Sequence, residues 1–328
     1  MSRHFRLSAT LCAEIIEFLG WHFICILLCV AVFATLEVIR MQIIYYENIE
    51  KFYKKAQPLL KQKPVLYAQM LSIIHSILRN PSSYGDHSPY ALLVVDEHGQ
   101  TVGAALRTPP FPLLVTEMPQ VAADALALKL EELDQELPGV LGPASDSWKF
   151  AKMFSNGSRI PELRLHMKLY CLREVEHNWR RDARLQRCEP ADLDHLYPWV
   201  CQFAKDCQLP QGAPARERVE AMVERGEYFY WETNQGRVAL LRRYLDEDAQ
   251  SARIGSVYTP IHFRGNGYGT DGTAALTQQC LNEGARYVTL VADMKNPTSN
   301  GIYQKVGYRA VSDMKLFEFQ GKEQEAAA

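Results

Sequence analysis

Arg264, Gly265, Asn266, Gly267, Tyr268 and Gly269 form the stretch of the chain with the clearest chemical content. Glycine lets a backbone lie close against a ligand and take turns that a side chain would forbid. The residues that follow, from about Thr270 to Glu283, have helical apolar spacing, with Ala275, Leu276 and Cys280 on one side and Gly284 where a C-terminal cap belongs. A turn that feeds a helix in this way gathers free main-chain N–H groups and the positive end of the helix dipole, which suits a pyrophosphate. Downstream, Tyr287 to Ala292 lacks polar alternation and reads as a strand covered on both faces. Asn296 and Pro297 then offer a helix cap and first turn, leading through Ile302, Tyr303 and Val306 to a stop at Gly307.

Two phosphate-binding patterns fit the glycines. Gly267, Gly269 and Gly272 spell G-x-G-x-x-G, with Asp293 about 20 residues further on as a dinucleotide fold requires. That pattern wants the first glycine directly after its strand, whereas Thr259 to Phe263 intervene and include Pro260, and too few residues follow Asp293 to complete such a sheet. The other pattern is R-x-x-G-x-G from Arg264, Gly267 and Gly269, preceded by Val257, Tyr258 and Thr259 and followed by Asn296-Pro297-Thr298-Ser299-Asn300 with Tyr303. This set resembles motif A of the GNAT superfamily, the acetyl-CoA-dependent N-acetyltransferases. It is most similar to a bacterial-type subfamily with V-Y-T-P, R-G-x-G-Y and N-P-T-S-N-x-I-Y-x-x-x-G-Y. The chain departs from the pattern in placing Gly272 and Gly301 inside helices, where glycine costs about 1 kcal/mol relative to alanine.

The resemblance implies an α/β fold of mixed, α+β type, the GNAT fold, with acetyl-CoA as acyl donor and no metal. It assigns a splayed strand at Val257, Tyr258 and Thr259 to the pantetheine arm and the backbone from Arg264 to Thr270 to the pyrophosphate. It places Asn296 against the cofactor chain and gives Tyr303 the role of general acid toward the thioester sulfur. Read alone, Arg264 is a surface ion-pairing residue, Asn296 a helix cap and Tyr303 a core aromatic. The implied reaction is acetyl transfer to a primary amine, on a small molecule or a peptide, by direct attack. No base is assigned: Glu227, Glu232 and Asp293 lie near strand ends and His262 in a loop. The rival class is a non-catalytic acyl-CoA sensor or a membrane-tethered interaction module.

The elements around this segment suggest a duplicated architecture. A chain of 328 residues with 47% apolar content can bury two domain cores. Its formal net charge of -2, with no basic run interleaved with aromatics, gives no nucleic-acid surface. The 8 cysteines lack paired metal spacing and read as buried thiols. Residues 41–172 show strand, two helices, hairpin, strand, helix, short strand, helix and strand. They read as a degenerate GNAT-like domain, with Leu126, Leu130 and Leu133 on one helical face and an alternating closing strand from Leu163 to Cys171. Thr108-Pro109-Pro110-Phe111-Pro112 stands there in place of a glycine loop, so no acyl-CoA is expected in that half and its role is structural or substrate-shaping. Residues 173–184 read as a charged, solvated linker, 185–320 as the N-acetyltransferase domain closed by Met314 to Phe319, and 321–328 as a loose tail.

Residues 1–40 form an apolar N-terminal segment. Phe18 to Leu36 runs 19 residues without a formal charge, close to the ~20 that cross a bilayer as a helix. Arg40, Lys51, Lys54 and Lys55 follow it, against Arg3 and Arg6 before it, which would turn the remainder toward the cytoplasm, where acetyl-CoA is found. Glu14 and Glu17 occupy the place of the basic region of a cleaved signal peptide. The alternative is that the segment is an upstream extension before a folded part that starts at Met41.

Overall fold

A computed structural model of the chain describes residues 40–321, apart from 82, 85–86, 134–135, 156–158 and 210–211. The stretch Phe18 to Leu36, expected as a membrane-crossing helix, and the tail after Gly321 lie outside the described residues. Among those residues no helix is long and apolar enough to cross a membrane.

The element order repeats itself. The first half runs β1 (Gln42–Tyr46), α1 (Ile49–Leu60), α2 (Ala68–Arg79), β2 (Tyr90–Val95), β3 (Thr101–Arg107), β4 (Leu113–Val115), α3 (Gln120–Glu132), β5 (Gly139–Pro143), α4 (Ala144–Phe154) and β6 (Arg159–Leu172). The second runs β7 (Arg184–Arg187), α5 (Leu193–Asp206), α6 (Arg216–Glu224), β8 (Tyr228–Thr233), β9 (Gly236–Asp246), β10 (Ser251–Tyr258), α7 (Tyr268–Asn282), β11 (Tyr287–Asp293), α8 (Pro297–Val306) and β12 (Arg309–Gly321). All twelve strands join one sheet in the order β1-β2-β3-β4-β5-β12-β6-β11-β10-β9-β8-β7. Among the described residues only β4–β5 and β10–β11 pair in parallel.

The centre of that order corrects the expected closing strands. Alternation alone has each half finish its own sheet, with Leu163 to Cys171 in the first and Met314 to Phe319 in the second. Instead the last strands are exchanged: β12 pairs with β5, Phe317 facing Val140, and β6 pairs with β11, Cys171 facing Thr289. The two exchanged strands also pair with each other over most of their length, from Arg309 opposite Cys171 to Gly321 opposite Arg159. Alternation of apolar residues sets which face of a strand is buried and leaves its neighbour open. Gly139 helps to admit the incoming strand, since a Cβ there would stand 2.3 Å from the Phe317 carbonyl oxygen.

Helices cover both faces of the sheet. In the second half α7 and α8 enclose one core, with Trp231, Leu241, Ile254, Ala275, Val288, Leu290 and Tyr303. On the opposite face α5 and α6 enclose Leu196, Val200, Val219, Tyr228, Tyr230 and Tyr258. Helix α7 opens at Tyr268, earlier than apolar spacing indicates, because Gly267 at φ 78 makes the turn and the Asp271 N–H already donates to its carbonyl at 3.0 Å. Gly272 is a packing requirement rather than a flaw in that helix. A Cβ there would lie 2.9 Å from Leu241 Cδ1 and 3.2 Å from Trp231 Cβ, so α7 sits directly on the sheet.

The stretch expected as a solvated linker is bound to the fold. Val175 and Trp179 pack against the α7–α8 core, the Glu176 N–H donates to the Val306 carbonyl at 2.9 Å, and His177 and Arg180 both reach Asp271. His177 and Arg180 find their partner on α7 and Glu176 pairs with Arg309 of β12, while Arg173, Glu174, Arg181 and Asp182 stay exposed.

The halves are also pinned on the sheet face covered by α2. His75 on α2 lies 2.8 Å from both carboxylate oxygens of Asp246, with its other ring nitrogen 3.0 Å from the Tyr53 hydroxyl, and both His75 and Asp246 are buried. The Tyr244 hydroxyl donates to the Ser72 carbonyl at 2.8 Å, and Arg79 pairs with Asp248 at 3.0 Å. Asp248 closes a group near enough to His75 and Asp246 to share an ion, but both nitrogens of His75 are occupied, which makes the group a fastening between halves.

Two substitutions test these contacts by urea unfolding. Gly272→Val should cost about 1–3 kcal/mol by forcing α7 off the sheet, and an unchanged midpoint would show that the helix has room to move. Asp246→Ala should cost about 1–3 kcal/mol because it leaves a buried imidazole without its partner. Full retention of stability would show that the junction does not depend on that pair.

Candidate active site

The site is made by two strands that stop pairing. Strand β10 meets β11 only at Ser251–Tyr287, Ala252–Val288 and Arg253–Thr289. Beyond Arg253 the strands part while β10 stays attached to β9, with a bulge between Gly255 and Tyr258 and Ser256 at φ 47. A bulge bends its strand and increases its twist, which turns the free edge of β10 away from β11. Main-chain groups on that edge need partners from a ligand or water. The wedge lies where Val257, Tyr258 and Thr259 were expected to receive a pantetheine arm. The Tyr258 side chain is buried among Tyr228, Tyr230 and Leu240, so the residue can serve the wedge only through its backbone.

The glycine turn stands at the mouth of the wedge. A methyl on Gly269 would come within 3.5 Å of Thr259 Oγ1, 3.6 Å of Ile302 Cδ1 and 3.9 Å of Val257 Cγ1, so the head of α7, the end of β10 and α8 converge there. Among the described residues, no protein acceptor takes the N–H groups of Gly265, Asn266, Gly267, Tyr268, Gly269 or Thr270. The first amides of any helix lack an intrahelical acceptor; here the turn before the helix adds further donors. Gly265 and Gly267 hold positive φ angles of 83 and 78, which only glycine adopts without strain.

The Arg264 side chain fixes the shape of this turn. It donates to the Thr259 carbonyl at 2.9 Å and to Asp206 at 2.6 Å. That leaves the main chain, rather than the guanidinium, to face a ligand. A residue that sequence reading passed over stands closer: Arg180, from the supposed linker, lies 4.6 Å above the Tyr268 ring, and its Nη2 donates to the Asn266 carbonyl at 2.6 Å. The same nitrogen is 3.6 Å from where a Gly267 side chain would begin. Arg180 and His177 also cover Asp271, which would otherwise set a negative charge in the first turn of α7, where the helix dipole favours an anion. The clue in the sequence was a basic residue near Trp179, but only the fold shows which loop they cover.

Asn296 acts as a cap, its side-chain oxygen accepting from the Ser299 N–H at 3.0 Å. Asn300 ties α8 to the sheet by donating to the Asp293 carbonyl at 2.8 Å and accepting from the Tyr170 hydroxyl at 2.7 Å. Tyr303 is 8% exposed, with Tyr170 at 6.3 Å and Tyr308 at 6.1 Å between ring centroids. Burial pushes its phenol well above the ordinary tyrosine value, and the nearby Cys207 thiol adds to the effect.

Three of the four unassigned base candidates, Glu227, Glu232 and Asp293, are already engaged by protein groups. Both carboxylate oxygens of Glu227 are taken, one by Arg225 at 2.7 Å and the other by Arg242 at 2.9 and 2.6 Å. Glu232 is paired with Arg184, and Asp293 caps the turn at Lys295. His262 is exposed, with its ring 4.1 Å from that of Phe263.

The equivalent place in the first half is closed. Gly142 lets β5 approach β4 so tightly that a Cβ would stand 2.8 Å from the Val115 carbonyl oxygen. Before α3 the protein fills its own cradle: the Met118 N–H donates to Asp146 at 3.1 Å and its carbonyl accepts from Lys149 at 3.0 Å. A cavity of about 450 Å³ remains beside it, between Lys63, Tyr67, Glu117 and Lys149, with Lys63 and Glu117 paired across it.

Residues 238–316, from β9 into β12, match the family model described as FR47-like protein. No curated protein matches the sequence. Among solved structures, a Drosophila protein is similar over 86% of this chain and 98% of its own, at 11% identity and a TM-score of 0.60. An acetyltransferase of the GNAT family from Colwellia psychrerythraea is similar over 85% and 100%, at 12% identity and 0.54. A tandem GNAT protein from the clavulanic acid biosynthesis pathway is similar over 86% and 98%, at 11% identity and 0.51. The fold is the GNAT fold. Within this fold the parted strands and the glycine turn lie in the second half, and the equivalent place in the first half is closed.

The fit of the glycine turn to a diphosphate can be tested at Arg180. Arg180→Ala is expected to raise the Kd for CoA roughly tenfold in a calorimetric titration, the loss of one charge-assisted contact. An unchanged Kd would show that Arg180 only braces the loop.

Proposed function

We propose that this protein is an N-acyltransferase that moves an acetyl group from acetyl-CoA to a primary amine on a small molecule or a peptide, on the cytoplasmic side where the donor is found. The observation that carries the reading is the run of unclaimed amides from Gly265 to Thr270 at the mouth of the wedge between β10 and β11. Amides at the head of a helix favour a pyrophosphate, and the free edge of β10 favours an extended amide-bearing chain. The residues present therefore fit acetyl-CoA. That cosubstrate supplies an activated acyl thioester. The similar Colwellia protein is an acetyltransferase, and the same activity fits the residues of this chain.

In this reading the neutral amine nitrogen attacks the thioester carbonyl carbon, the C–N bond forms and the C–S bond breaks. Tyr303 gives its phenolic proton to the departing sulfur, the amine gives up its proton to water, and the Tyr303 phenolate takes a proton back from water. Burial keeps the Tyr303 phenol protonated across the neutral and mildly alkaline range. Asn296 supports the site by capping α8, which carries Tyr303, and its exposed position leaves it able to meet the cofactor chain. Glu227 helps hold the wall of the acceptor side through Arg242 rather than acting as the base.

Tyr303→Phe should lower kcat about a hundredfold, the lower end of the usual contribution of a general acid, with the Kd for acetyl-CoA unchanged. Full activity of that variant in a thiol-release assay would remove Tyr303 from the chemistry. Absence of turnover by the wild type on a broad amine panel, with acetyl-CoA bound, would favour an acyl-CoA sensor. The pH profile gives an independent check. Because its pKa is raised from 10.0, Tyr303 stays protonated through pH 10. The rate of the wild type should therefore rise as the amine deprotonates and show no falling limb from this group below pH 10; a falling limb near pH 8 that disappears in Tyr303→Phe would contradict the assignment.

A further inference from the structure

On the sheet face opposite α7 and α8, the two halves enclose more positive charge than they neutralise. Arg253 and Tyr244 are cross-strand partners, and Arg242 stands opposite Gly255 on one side and Tyr228 on the other, so Arg253, Tyr244 and Arg242 project from one face. Arg218 of α6 lies against two rings supplied by the first half, Tyr84 at 5.4 Å and Phe111 at 5.1 Å. Burial raises the Tyr84 phenol above the ordinary tyrosine value, and Arg253, Arg218 and Arg242 lie near enough to oppose that rise. The carboxylate of Glu227 is consumed by Arg225 and Arg242. Arg218 and Arg253 form no ion pair among the described residues, and Arg218 Nε is buried without an acceptor. Burial pushes both guanidinium groups below the ordinary arginine value, the direction expected for cations taken from water without compensation.

Of these cations, Arg253 borders the wedge. Arg253 makes the last β10–β11 pair before the strands part, and Gly255, two residues on, is exposed with nothing within 4 Å of where its side chain would begin. A partly buried cation with no protein counter-charge is costly, and a bound anion relieves that cost. Arginine presents a planar fork suited to carboxylate and phosphate alike.

We propose that Arg218 and Arg253 hold an anionic group of the acceptor, a carboxylate or a phosphate, with its amine directed past Gly255 toward the wedge. The assignment rests on the acyl-transfer reading above and names the class of amine that the site takes. It gives the first half a part in the chemistry, since Tyr84 and Phe111 form the wall against which Arg218 is held.

The test uses the full chain saturated with CoA and amines of matched length: β-alanine and other amino carboxylates, O-phosphoethanolamine, and uncharged alkylamines. Binding by calorimetry and turnover by thiol release, with acetyl-CoA, are read separately. The anionic amines should bind and react at least roughly tenfold better than the uncharged ones, and the better of the two anionic classes identifies the group. Arg253→Gln and Arg218→Met should each shrink that preference roughly 10- to 100-fold, through KM rather than kcat, with the Kd for acetyl-CoA retained. The retained Kd shows that a variant has folded, and two variants on different elements guard against one that does not. Equal binding of charged and uncharged amines by the wild type, or an undiminished preference in both variants, would overturn the proposal. Charge-selective binding without turnover of any amine would support the anion site while removing the acyl-transfer reading.

Discussion

The separation of β10 from β11 beyond Arg253 and Thr289 is the constraint on which the rest of the second half depends. A buried main-chain donor or acceptor has to be satisfied, so a sheet that opens must close again, fill the gap with side chains or leave it for a ligand. The two halves take different routes. In the first, Gly142 brings β5 against Val115, and Asp146 and Lys149 take the polar groups of Met118. In the second, the bulge at Ser256 holds the strands apart and the glycine turn leaves its amides unclaimed. Similar element order therefore yields one closed scaffold and one open site, and the difference lies in a few backbone groups.

The open site needs rigid surroundings, because amides aimed at a ligand are useful only if the turn that carries them does not collapse. Arg264 fastens the turn to Asp206 and Thr259, Arg180 crosses it from the connector, and Gly272 lets α7 rest on Trp231 and Leu241. Each interaction holds the turn from the side without taking its free N–H groups. Asp271 is the apparent exception, a carboxylate in the first turn of a helix meant to favour an anion, and its charge is covered by His177 and Arg180. Preorganised donors of this kind avoid the cost of reorganisation when charge arrives.

Much of this was legible in the sequence because local chemistry determines it. The glycine turn, the Asn296–Pro297 helix start and the Gly307 stop have signatures confined to a few residues, and the order of elements follows from periodicity. The exchange of β6 and β12 could not be read the same way. Leu163 to Cys171 and Met314 to Phe319 alternate as strands should, and alternation is blind to which neighbour a strand chooses. Arg180 reads as a solvated charge because its partners, Asp271 and Asn266, lie far along the chain. Arg218 and Arg253 look ordinary in sequence, and only the tertiary fold shows that the nearby Glu227 is taken by other arginines.

The exchange also bears on why a half without a glycine loop is retained. Strand β11, which forms one wall of the wedge, has β6 as its other neighbour, and β6 belongs to the first half. Strand β12 in turn lies on β5 and leaves the second half altogether. Removing residues 41–172 would strip β11 of its outer partner, deprive β12 of both neighbours and leave long unpaired edges, which sheets avoid because they recruit other chains. The same cut would remove Tyr84 and Phe111 from Arg218, and His75 from Asp246. The degenerate half is thus part of the wall on which the open half depends, and its loss of a cradle carries no loss of structural purpose.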